Sequence, residues 1–238
     1  MKLDNKTILI TGANRGIGKA TVEALLKRNV KKIYAAARDV GQIPDFKDAR
    51  VVPLALDITN RSQIGKAAVQ ASDVQVLINN AGALAFASAV NGKPQDLQSD
   101  MEVNYFGTLS MVNAFVPVIE KNGGGHIANL LSVVSFASMA GAAGYCASKA
   151  ALFSATQAMR TELKAKNIQV HGIFPGPIDT RMAKDFDLPK TSPEVTGENI
   201  VAGIEAGKED IFPDPMSQQI AELWFKDPKA VERQFANM

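Results

Sequence analysis

Apolar runs with almost no polar alternation, separated by stretches of helical pattern, restrict what this chain can become. The runs are "KTILIT" (6–11), "KKIYAAA" (31–37), "RVVPLALD" (50–57), "VQVLINN" (74–80), "GHIANLLS" (125–132) and "IQVHGIFPG" (168–176). A strand with one wet face alternates apolar and polar residues. Strands that are apolar throughout are covered on both faces, as in parallel sheets. Helical stretches lie at 18–28, 60–72, 101–121 and about 144–166, with Asn60 placed to cap the second. Such alternation requires right-handed crossovers, which leave helices on both faces of the sheet. A short strand near "EDIFP" and a helical tail close the chain. The expectation is an α/β fold with one doubly wound parallel sheet of about seven strands. No repeat, low-complexity segment or linker interrupts 1–238, so a single domain is expected.

The first run leads directly into "TGANRGIG" (11–18), with Gly12, Gly16 and Gly18 spaced Gly-x-x-x-Gly-x-Gly. Glycine allows a tight turn and lets a pyrophosphate approach the backbone. The helix that follows offers unpaired N–H groups and the positive end of its dipole. Between a strand and a helix, this is the context of a Rossmann dinucleotide site, with Asn14, Arg15 and Ile17 in the same turn. A plain strand–helix turn would read similarly.

A second stretch, "GYCASKAAL" (144–152), sets Tyr145 and Lys149 four residues apart, with only the small Cys146, Ala147 and Ser148 between them. On a helix, such residues share a face about 5–6 Å apart. An amphipathic helix with an incidental Tyr–Lys pair has the same spacing.

Composition removes several function classes. Lys and Arg number 26 against 24 Asp and Glu, a net charge of +2, and the basic residues form no block. That gives no case for nucleic acid. No apolar stretch approaches the roughly 20 residues that span a bilayer. "MKLDNKTILITG" lacks the pattern of a signal peptide, so a cytoplasmic protein is expected. Cys146 is the one cysteine, which forbids an internal disulfide. It lies far in sequence from His126 and His171, so no metal is expected and both histidines read as structural.

The glycine turn, "NNAG" (79–82) and "YCASK" (145–149), in this order and at these intervals, closely resemble the short-chain dehydrogenase/reductase family. The likeness covers Thr7 to about Thr180. It implies that Tyr145 is the proton donor or acceptor and that Lys149 tunes it. It gives Ser132, thirteen residues before Tyr145, the role of orienting a carbonyl, whereas Ser135 does not fit that spacing. Asn104 in "MEVNYFG" matches the asparagine that supports a water-linked proton relay. Asp57 would meet the adenine amino group. Asn80, Ala81 and Gly82 would line the cofactor, while Asn79 braces the sheet. Pro175, Gly176 and Ile178 would hold the nicotinamide amide, with Thr180 near the phosphates. The segment 180–193 is expected to be a substrate lid, to which Met182 and Phe186 could contribute.

The resemblance also implies the chemistry. A hydride passes between NADP(H) and a small to medium ketone, aldehyde or secondary alcohol, without a metal. A nearby ammonium is expected to lower the tyrosine pKa from about 10. Cofactor choice rests on the end of the second strand, where an acid selects NAD and an Arg accommodates the 2′-phosphate of NADP. That position aligns with Ala37, followed by Arg38, with Arg15 on the other side. Were the strand two residues longer, Asp39 would favour NAD. Two alternatives share the fold: a 3-oxoacyl-carrier-protein reductase, and a silent nucleotide-sensing protein. A homo-oligomer, tetramer or dimer, is the family expectation.

Overall fold

The computed structural model describes residues 3–237. Its sheet has seven strands: β1 (Thr7–Thr11), β2 (Lys32–Ala37), β3 (Val51–Ala55), β4 (Val76–Asn79), β5 (Gly125–Leu130), β6 (Ile168–Ile173) and β7 (Asp210–Ile211). Their order is β3-β2-β1-β4-β5-β6-β7, and every pairing is parallel. The helices are α1 (Gly16–Leu26), α2 (Arg61–Gln70), α3 (Pro94–Met101), α4 (Thr108–Lys121), α5 (Ala143–Glu162), α6 (Pro193–Glu205), α7 (Pro215–Lys226) and α8 (Pro228–Phe235). Among the described residues no helix is long and apolar enough to cross a membrane.

The period of two along each strand divides the core. In β1, Ile8 and Ile10 pack with Val22, Leu25, Ile200 and Ile204 of α1 and α6. Leu9 points the other way, to Met111, Phe115 and Met159 of α4 and α5. A third cluster stacks Phe136 on Phe174 and on Trp224 of α7, at centroid distances of 4.9 and 5.2 Å. Pro53 lies in β3, an edge strand, where a missing N–H leaves no ladder bond open. Asn60 caps α2 as expected, its Oδ1 accepting from Gln63 N–H at 3.1 Å.

Two boundaries differ from the sequence reading. The helix expected over 101–121 begins earlier, at Pro94, a proline at the first helical position, and widens into a π-helical turn over Glu102–Gly107 before α4. The helix expected to reach 166 ends at Glu162. A 3₁₀ turn follows, and Asn167 takes the left-handed conformation with φ of 55°.

His126 and His171 are structural, as expected, and they are partners. His171 Nδ1 lies 2.5 Å from Lys208 O, which accepts, so this nitrogen carries the proton. His171 Nε2 then accepts from His126 Nδ1 at 2.9 Å, and His126 Nε2 is buried with no partner among the described residues. Burial lowers the His126 pKa to about 4. The folded state therefore resists protonation that the unfolded chain, near 6.5, accepts. Stability from this pair is full above pH ~6.5 and is lost as pH falls towards about 4, on the order of 3 kcal/mol in all. Urea midpoints over that range should fall more steeply for the parent than for His126→Gln. Equal slopes would assign the acid lability to other groups.

Candidate active site

The strands to one side of β1 run to β2 and β3, and those to the other side to β4 and onward. The carboxyl ends of β1 and β4 therefore flank a switch point, where ligands bind in open α/β sheets. A cleft of ≈ 1180 Å³ opens there. It is lined by Gly12, Asn14, Arg15, Gly16, Ile17 and Gly18 of the glycine turn and by Ala37, Arg38 and Asp57 beyond β2 and β3. Asn80, Ala81 and Gly82 follow β4, Tyr145 and Lys149 come from α5, and Thr180 from the loop after β6.

The glycine turn is held by side chains of neighbouring strands. Gly12 and Gly16 have φ of +66° and +53°, conformations open to glycine. A Cβ on Gly18 would overlap the Gly12 carbonyl and the Asn80 amide. Asn80 Nδ2 donates to Thr11 O at 2.8 Å and Gly12 O at 3.1 Å, and Thr11 Oγ1 accepts from the N–H groups of Asn80 and Ala81, each at 3.0 Å. Asn79 does brace the sheet, donating to Asn129 Oδ1 at 2.9 Å. The first turn of α1 has no acidic residue, and no side chain caps it.

Past β2, Asp39 turns back on its own loop. Its Oδ1 accepts from Gly41 N–H at 2.9 Å and its Oδ2 from Gln42 Nε2 at 3.0 Å. Arg38 is exposed and, among the described residues, neither it nor Arg15 forms a salt bridge. Asp57 Oδ1 is taken by Thr59, through its N–H at 2.9 Å and its hydroxyl at 2.7 Å, and these bonds lower its pKa.

Tyr145 and Lys149 project from the first turns of α5. Lys149 is buried, its Nζ 5.6 Å from the Tyr145 ring centroid and donating to Leu130 O at 2.6 Å. Burial lowers its pKa to about 8. The Tyr145 pKa rises to about 12, because desolvation outweighs the hydrogen bond from Ser132. The expected lowering by the ammonium is therefore reversed here. Desolvation penalises the charged forms of both groups, so the phenol is held neutral.

Ser132 is buried and caps the 3₁₀ turn Val133–Ser135. Ser135 Oγ accepts from Ser132 N–H at 3.3 Å, so the second serine braces the first. Asn104 is fully buried, its amide consumed by protein partners. Its Oδ1 accepts from Ala83 N–H at 2.9 Å, while its Nδ2 donates to Ala83 O and to Ser148 Oγ, each at 2.9 Å. Asn104 sits within the π turn. A Cβ on Gly82 would lie 3.1 Å from Asn104 Oδ1 and 3.8 Å from Lys149 Nζ, so Gly82 and Lys149 at the cleft surface pack near the buried Asn104.

Pro175 and Ile178 are buried behind the wall rather than lining it. Gly176 N–H donates to Asp214 Oδ2 at 2.8 Å, and Asp214, itself buried, caps α7. Ile178 and Thr191 form an isolated bridge that closes the base of the segment between them. Phe186 of that segment meets Phe86 across the cleft mouth, edge to face at 5.7 Å, and Met182 lines the same side. Cys146 is buried, with its Sγ 3.4 Å from Met139 N, as a packing residue. Among the described residues no cluster of three or more His, Cys, Asp or Glu could hold a metal. Sequence reasoning missed Asp100 and Asp214, whose burial nothing in their local sequence announces, and the wall residues Leu84 and Phe86.

The profile of the short chain dehydrogenase family matches residues 6–190. A 3-oxoacyl-(acyl-carrier-protein) reductase of Thermotoga maritima is 32% identical over 217 residues, 87% of this chain and 86% of that protein. An NADP-dependent 3-hydroxy acid dehydrogenase of Schizosaccharomyces pombe is 31% identical, over 76% and 75%. The crystal structure of a short chain dehydrogenase from Burkholderia cenocepacia in complex with NADP superposes with a TM-score of 0.93. It is 36% identical to this chain and covers 99% of each.

Proposed function

This chain belongs to the short-chain dehydrogenase/reductase family, and from that premise we propose that it is an NADP-dependent carbonyl reductase acting on an apolar ketone or aldehyde. The observation that carries the reading is that Tyr145 and Lys149 line a cleft whose far end presents Arg15 and Arg38, with Ser132 hydrogen-bonded to Tyr145 and Asn104 buried behind Gly82. The donor set fits the cofactor. An uncapped helix start would accept the pyrophosphate, glycines leave room for it, and Arg15 and Arg38, neither in a salt bridge among the described residues, suit a 2′-phosphate.

Bound NADPH supplies the hydride. Ser132 donates a hydrogen bond to the carbonyl oxygen, where charge develops. Tyr145, held neutral by burial, is poised to give its proton to that oxygen, which favours reduction. Lys149, anchored on Leu130 O, supplies positive charge beside the phenolate that results. Asn104 fixes the wall at Ala83. The loop carrying Pro175 and Ile178 would hold the nicotinamide amide, Thr180 would stand near the phosphates, and Asp57 would meet the adenine amino group.

The mouth bears on the substrate. Phe86, 60% exposed, and Met182, 42% exposed, offer apolar surface there. An acidic carrier protein would meet no basic patch on the lid. Over the lid, 180–193, the three cations Arg181, Lys184 and Lys190 are interspersed with the two acids Asp185 and Asp187, a net charge of only +1 with no basic block. Two carrier-protein reductases among the relatives, at 32% and 33% identity, keep that reading as the alternative. A panel of aryl ketones, aliphatic ketones and β-keto thioesters, followed by NADPH oxidation, tests the proposal. Aryl ketones should turn over with the highest kcat/KM. Turnover confined to carrier-protein thioesters would transfer the assignment to the alternative, and none with any carbonyl would remove the reductase reading.

A further inference from the structure

We propose that Asp100 is a positioning residue of this site: with Asn104 one helical turn on, it clips the cleft wall 83–85 into the place where cofactor and carbonyl are received. The inference rests on the reductase reading. Asp100 is fully buried at the end of α3, and its Oδ1 accepts from Ala85 N–H at 2.9 Å. Asn104 grips Ala83 in the same manner from both sides of its amide. Two side chains spaced i and i+4 therefore hold one short length of backbone at two points. That backbone lies between Gly82 and Phe86, and Ala83 and Leu84 face the cleft.

The other oxygen of Asp100 is what marks the residue. Asp100 Oδ2 is buried and has no hydrogen-bond partner among the described residues. Leaving one carboxylate oxygen buried without a partner is costly, which favours the protonated form. Its pKa is raised, chiefly by burial. The groups that face it are Asp96 on its own helix and Tyr145 and Lys149 on α5. The wall 80–88 contains no titratable residue, and Glu102 in the following turn is exposed. Contact with α5 is close. A Cβ on Gly144 would lie 2.8 Å from Leu97 Cα and 3.0 Å from Asp100 Oδ2, immediately before Tyr145. When protonated, the acid would accept the Ala85 N–H without placing a negative charge beside the tyrosine. An ionised one would oppose the phenolate and draw on Lys149.

Three variants separate acceptor from charge. Asp100→Asn keeps an acceptor and is neutral. Asp100→Leu keeps approximate volume and removes the acceptor. Ala85→Pro deletes the same hydrogen bond from its other end, and carries the test should the leucine variant not fold. Each is titrated with NADPH by fluorescence, without turnover, and then assayed for KM and kcat. Asp100→Asn should bind NADPH within about twofold of the parent, with an unmoved kcat profile between about pH 6 and 9. Asp100→Leu and Ala85→Pro should weaken NADPH about tenfold, the loss of one buried hydrogen bond, and raise the carbonyl KM more than they lower kcat. An asparagine variant as damaged as the leucine variant would overturn the proposal, as would parental NADPH affinity in both acceptor-deleting variants. Failure of the reductase reading shows separately, as NADPH binding without oxidation by any carbonyl.

Discussion

Replacing Tyr145 by Phe should leave NADPH affinity within a few-fold of the parent and cut kcat by on the order of 10²–10⁴. The substitution removes one hydroxyl and leaves the half-buried ring in its packing. What disappears is the proton that the reduced oxygen must receive, together with the hydrogen bond shared with Ser132. An acid can give its proton only while it holds one, and burial keeps Tyr145 protonated well above neutral pH. The decisive comparison is single-turnover NADPH oxidation in parent and variant at equal cofactor saturation. A variant within tenfold of the parent would move the proton donor to another group.

The second large effect concerns cofactor choice. NADPH should exceed NADH by at least about tenfold in kcat/KM, which is about 1.4 kcal/mol. Arg38→Ala should erode the preference, and Ala37→Asp should reverse it. The sequence left the length of the second strand open. β2 ends at Ala37, and both carboxylate oxygens of Asp39 are occupied by Gly41 and Gln42. Arg38 and Asp39 both border the cleft, but the acid's two oxygens are engaged by its own loop while the guanidinium forms no salt bridge among the described residues. An acid at position 37 would compete for the ribose hydroxyl and repel a phosphate. Kinetics with both cofactors for the three proteins decide the matter, and a parent that uses them equally would show Arg38 to be a solvated strand end.

The strands were legible because burial on both faces writes itself as unbroken apolar runs, and Asn60 was legible as a cap because its chemistry is local. The glycine turn could be read for the same reason, since strand, turn and helix are contiguous. What sequence did not convey depends on contacts made at a distance. "PQDLQSDM" is too polar to announce a helix that carries one fully buried acid, Asp100. The π turn over Glu102–Gly107 has no sequence period of its own. The direction of the Tyr145 shift also escaped, because a lysine four residues away is visible in the chain and the desolvation that outweighs it is not.

The bridge between Ile178 and Thr191 has a further consequence. Asp179 N–H to Thr191 O at 2.9 Å and Thr191 N–H to Pro177 O at 3.1 Å bring the two feet of the intervening segment together. Chain between joined feet is inexpensive to lengthen, since each doubling of a loop adds only about 0.6 kcal/mol of closure entropy. Ser132 in the turn after β5, and Tyr145 and Lys149 on α5, stand outside that handle. Residues 181–190 should therefore be exchangeable as a cassette that alters which molecules are admitted while Thr180 and the machinery below it are kept.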